Sequence, residues 1–148
     1  MRFSFVALLL IVGMFTSALA APACFQRPEA VADQGIRYMT EVMVMSDTCR
    51  DETYARFAYR NRDVLQTYQH TLMDHFKREG GSGQSKLDTF MTHIANEAAL
   101  RTGSKDIAQV CAVAVQFLAN ADKLDSAAFR QYIEQQTALR VGDYKMCK

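Results

Sequence analysis

The sequence predicts an all-α protein, an up-and-down bundle of four to five helices braced by disulfides, with residues 21–148 forming a single α-helical domain. Three observations carry this expectation. Apolar residues recur at intervals of three and four, the period of a helix with one buried face, and no sustained alternation marks a strand. Beyond the leader the chain has only Pro22 and Pro28, and glycine gathers at Gly80, Gly81 and Gly83, so long stretches run without a helix breaker. The third is an export leader ahead of four cysteines. Arg2, the apolar run from Phe3 to Phe15 and the small-residue sequence Ala18, Leu19, Ala20 read as a signal peptide, residues 1–20, cut after Ala20. The run is shorter than the roughly 20 residues a spanning helix needs, so no membrane span remains after cleavage.

The elements follow in order. The first helix is expected from Pro28, suited to an opening turn, through Tyr38, Met39, Val42, Met43 and Met45 towards Ser46. Asp47 or Asp51 can cap the second and longest helix, whose apolar face is Tyr54, Ala58, Asn61, Leu65, Tyr68, Leu72 and Phe76. Its opposite face, with Arg56, Asp63, Thr67, His70, Asp74 and Lys77, reads as solvated. The glycines at 80–83 end it, and Ser85 to Asp88 open a third helix carrying Leu87, Phe90, Met91, Ile94 and Ala98. Gly103 and Ser104 break the chain again. A fourth helix then bears Ile107, Val110, Cys111, Ala114, Phe117 and Leu118, and Val113 and Val115 widen that face enough to make it the expected most buried helix. Asp125 caps a fifth with Phe129, Tyr132, Ile133, Gln136 and Leu139, and a short tail after Gly142 reaches Cys147. Asn61 and Gln69 lie on or beside the apolar face and need partners if buried.

In an oxidising compartment, periplasmic or extracellular, the four cysteines form bridges, and four cysteines allow three connectivities. Placement favours Cys49 with Cys111, tying the first helical junction to an apolar helix, and Cys24 with Cys147, pinning two tails that compact domains often bring together. A long loop of this kind is worth roughly 4 kcal/mol in the chain-entropy model. The terminal bridge is expected to matter less, since tails commonly lie outside the core.

The sequence narrows the chemistry mainly by elimination. Without the leader, basic and acidic residues balance, which gives no concentrated positive field for nucleic acid. No serine lies in a Gly-x-Ser-x-Gly turn, and the 80–83 glycines lack the lysine and hydroxyl of a phosphate loop. Paired carboxylates such as Glu97 and Asp106 are commonplace on a charged surface. A metal would have to use Met39 and Met43, which share a helical face, or His70 with Asp74, four apart; two ligands do not make a specific site. Met45 and the other methionines read as core filler, and His70, His75 and His93 as surface residues. Arg56, Tyr59, Arg60 and Arg62 give a basic, aromatic stretch that reads as a solvated face more readily than as a docking patch.

From Cys49 to Cys111 the chain resembles a family of small exported bacterial helical proteins with no assigned activity. The resemblance rests on a cysteine ending the first helix, the series Tyr54, Phe57, Leu65, Phe76, the Gly80-Gly81 break, the Leu87 to Asn96 stretch, and Cys111 in a later apolar helix. It implies a Cys49–Cys111 bridge and no particular reaction or ligand. The expectation is therefore a periplasmic or secreted domain without catalytic machinery or cofactor, binding a protein or envelope component. The alternative is a periplasmic copper- or zinc-handling protein.

Overall fold

A computed structural model describes residues 23–103 and 105–148, so the leader expected at residues 1–20 lies outside the described residues. Six α-helices follow one another: α1 (Arg27–Cys49), α2 (Thr53–Arg60), α3 (Arg62–Arg78), α4 (Gly83–Gly103), α5 (Ile107–Asp122) and α6 (Ser126–Leu139). A short 3-10 turn, Val141–Asp143, leads into the C-terminal tail. The fold is all-α, as expected from the apolar period.

The centre of the bundle is α1, which packs against each of the other five helices. Its first half is buried nearly all round, and that is possible because Ala30, Ala32 and Gly35 let neighbours approach closely. At Gly35 a Cβ would collide with the Tyr68 ring of α3. The polar residues that α1 carries inward are partnered: Thr40 donates to the Ile36 carbonyl, and Ser46 Oγ accepts the Tyr54 amide at the start of α2. Around this axis Ile36, Met39, Val42, Phe57, Leu72, Leu118, Phe129 and Ile133 form one core.

Three expectations need correction. The single helix predicted from Tyr54 to Phe76 is two helices, broken at Asn61, which departs from helical dihedrals (φ −103°, ψ 12°). Asn61 is fully buried and its amide donates to the Phe57 and Leu124 carbonyls, both at 3.0 Å, so the kink ties α2 and α3 to the α5–α6 turn. The helix expected to be the most buried, here α5, leaves Val113 80% and Val115 65% exposed; α1 takes that place because it lies between all the others. His75, read as a surface residue, is 0% exposed.

Local signals account for most helix ends. Asp125 accepts the Ala127 and Ala128 amides and opens α6, and Asp51, one of two candidates, accepts the Thr53 amide ahead of α2. The glycines end α3 as expected, with φ of 92° at Gly80 and 87° at Gly81, a region that favours glycine. Helix α4 begins two residues before the expected Ser85, with Ser82 Oγ accepting the Ser85 amide.

Two disulfides join Cys24 to Cys147 and Cys49 to Cys111, the two pairs that placement along the chain favoured. The terminal pair does not sit on loose tails. Phe25 and Met146 form a parallel bridge, the Phe25 amide donates to the Lys145 carbonyl, and the Cys147 amide donates to the Phe25 carbonyl. Phe25 also stacks on His75 with ring centroids 4.0 Å apart. The clasp is a packed element of the bundle.

Candidate functional site

The residues singled out from sequence do not converge. Met39 is part of the core, while Met43 lines a hollow near the end of α1. His70 and Asp74 are exposed on α3 and border separate shallow hollows. Among the described residues no three His, Cys, Asp or Glu side chains are grouped to hold a metal ion. Glu97 pairs with Arg37 and His93, whereas Asp106 accepts the Ala108 amide and caps α5. In the basic stretch, Arg56 and Arg60 both bind Asp122, and Arg62 pairs with Asp63. Arg56 and Arg60 fasten α2 to the end of α5, and Tyr59 is left 82% exposed.

What does converge is a groove whose residues looked ordinary in sequence. A hollow of about 410 Å³ opens where α1, α4, α5 and α6 meet, within the size range of small-molecule sites. Tyr38, Phe117 and Tyr132 supply its aromatic wall, and Arg37, Arg101 and Arg140 bring three guanidinium groups to it from three different elements. Glu41 and Glu97 line the same hollow.

The aromatic wall is fixed by the core. Tyr38 makes edge-to-face contacts with Phe57, Phe117 and Tyr132, at centroid distances of 5.9, 5.4 and 5.1 Å. Burial, with Tyr132 and Glu41 nearby, pushes the Tyr38 hydroxyl well above the usual phenol range, so it remains a neutral group able to donate a hydrogen bond.

The cations divide into one held and two available. Arg37 Nε donates to Asp33 at 2.8 Å, its Nη1 lies 3.6 Å from Glu97, and its guanidinium sits over the Phe90 ring. Asp33 also accepts from the Tyr144 hydroxyl at 2.6 Å, which in turn accepts from Gln34 at 2.5 Å. The C-terminal clasp therefore braces the residue that braces Arg37. Arg101 and Arg140, both exposed, form no ion pair among the described residues. An exposed arginine is commonly a solvated charge; here two line one aromatic-walled hollow beside a third that is already fixed, and a guanidinium offers a planar fork of donors.

A second polar centre is closed to solvent. Glu29, 4% exposed, accepts from Arg78 at 2.6 Å and from the Gln26 amide at 2.9 Å, and lies 3.0 Å from His75 Nδ1. Burial pushes the Glu29 carboxyl up, but these partners outweigh it and hold the group below its ordinary 4.5. Its burial suits it to fastening α1 to α3 and to no surface chemistry.

Comparison with protein-family models, with curated proteins and with solved structures finds no match to this chain. Among the described residues no helix is long and apolar enough to cross a membrane.

Proposed function

We propose that this is an exported, periplasmic or secreted, non-catalytic domain that binds an envelope component carrying an anionic group, using the groove between α1, α4, α5 and α6. The observation that carries the reading is the pair Arg101 and Arg140, which line an aromatic-walled hollow without an ion-pair partner among the described residues. Two disulfides and the leader sequence support an oxidising compartment.

Envelope extract passed over the immobilised oxidised protein tests this reading. The expected result is a saturable component eluted by salt, and its retention falls several-fold on an Arg101→Ala/Arg140→Ala column. No saturable component, or equal retention by that variant, overturns it.

A further inference from the structure

A second hollow, of about 470 Å³, continues from the first along the α4–α5 seam, and the two share Glu41, Arg101 and Phe117. Its character is different. Met45, Val110, Val113, Ala114 and Phe117 make an apolar floor. Those side chains stand on regular helix, whose backbone groups are spent within the helix, so the floor offers contact area and few hydrogen bonds. Val113 is 80% exposed at its edge, a large apolar side chain left facing water.

Building on the anion-binding reading above, we propose that the continuous groove holds a single-chain amphiphile with a carboxylate head, such as a long-chain fatty acid. The head lies at the arginine end and the alkyl chain lies along Met45, Val110, Val113 and Phe117. Charge decides the head. Counting Asp33, which holds Arg37, and Lys105, which lines the adjoining hollow with Arg101, the cations Arg37, Arg101, Arg140 and Lys105 face Asp33, Glu41 and Glu97, an excess of one positive charge, which a monoanion neutralises. A phosphate monoester brings about −1.5 to −2 and would meet the two glutamates with charge to spare. The floor decides the tail. A peptide laid there would bring N–H and C=O groups that lose water and find few partners, whereas an alkyl chain has none to lose. The polar residues of this hollow are Glu41, Arg101, Thr102, Lys105 and Gln109, side chains beside the apolar floor, and Thr102 already donates to the Ala99 carbonyl.

The groove also contains its own discriminator. Glu41 lies where the two hollows meet and forms no ion pair among the described residues. For an anionic head it is a like charge, so Glu41→Gln tightens binding. For a cationic or zwitterionic ligand it is an attractive charge, so the same change weakens binding.

The test is calorimetric titration of the purified oxidised protein with palmitate below its micelle concentration, beside decanoate, butyrate, hexadecanol and hexadecyl phosphate. Palmitate is expected to bind in one saturable equivalent. Affinity should rise along the carboxylate series, by up to about fourfold for each methylene buried, and hexadecanol should bind roughly tenfold or more weakly. Arg101→Ala and Val113→Asp, both at exposed positions, should weaken palmitate binding roughly tenfold with unchanged helical circular dichroism. Glu41→Gln should strengthen it.

Hexadecanol or hexadecyl phosphate binding as tightly as palmitate overturns the proposal, as does weakening by Glu41→Gln. A component from envelope extract that needs Arg101 and Arg140, alongside absent palmitate binding, also overturns it and leaves the broader anion-binding reading intact. Failure of both experiments removes both.

Discussion

Removing either disulfide is expected to cost about the same, although one bridge joins the chain termini and the other reaches the core. The Cys24–Cys147 bridge spans 123 residues and Cys49–Cys111 spans 62. The inner bridge lies within the outer loop and short-circuits half of it, so with the other bridge in place each closes a ring of roughly sixty residues. The chain-entropy model then assigns about 4 kcal/mol to each. Native packing does not discount the terminal pair, because Phe25 stacks on His75 and Tyr144 bonds Asp33 and Gln34. The assay is thermal melting, followed by helical circular dichroism, of Cys24→Ser/Cys147→Ser and Cys49→Ala/Cys111→Ala, with non-reducing peptide mapping of the parent. Each pair should lower the melting temperature by roughly 10–20 °C in a domain of this size. A terminal variant melting within a few degrees of the parent, while the inner variant falls, would refute the reasoning and show that the clasp packs without being coupled to the core.

Glu29→Gln should destabilise the protein by about 2 kcal/mol at neutral pH in urea unfolding, since it removes the charge from a buried carboxylate that accepts from Arg78 and from the Gln26 amide. The folded Glu29 carboxyl is held below its ordinary 4.5, so its contribution is present above that value and lost as pH falls through the folded one; the variant should show a flatter acid limb. Gly35→Ala should cost about 1–3 kcal/mol through the clash with Tyr68, whereas Gly103→Ala, with open space around it, should gain up to about 1 kcal/mol. Asn61→Asp replaces a donor to two carbonyls with a buried carboxylate, and should cost about 3 kcal/mol or more at neutral pH. That loss should shrink in acid, because the burial raises the folded pKa of the new aspartate, and its protonated form can donate again.

The parts of the fold that were legible are those encoded within one turn or one face. Leu65, Tyr68 and Leu72 are buried and Phe76 half-buried as their spacing predicts, the opposite face from Asp63 to Lys77 is exposed, and Asp125 caps the helix it precedes. The parts that were not legible depend on distant partners. The apolar stripe runs through Asn61 without a break, and the helix breaks there beside the Leu124 carbonyl, 63 residues away. His75 is drawn inside by Glu29, 46 residues away, and by Phe25 from the clasp. The exposure of Val113 and Val115 has the same origin. Apolar composition says that a residue can be buried, and only the position of α1 between the other helices decides which apolar faces find a neighbour.

The groove was hidden for a related reason. Metal ligands and nucleophiles are marked in a sequence by particular residue types at fixed spacing; Met39, Met43, His70 and Asp74 carry such a mark, and the fold disperses them. Arg37, Arg101 and Arg140 are common residues spread over three elements, and nothing in their spacing marks them. Their relation appears only once α1, α4 and the end of α6 surround one hollow. A second relation separates them further: Arg37 is committed to Asp33 and Glu97, which lowers the entropy it has left to lose, whereas the ligand proposed above would have to order Arg101 and Arg140. The brace on Arg37 reaches through Asp33 to Tyr144, three residues from Cys147. The oxidised clasp therefore contributes to the shape of the groove as well as to the stability of the bundle, and on the binding proposed above reduction of Cys24–Cys147 should weaken palmitate binding along with stability.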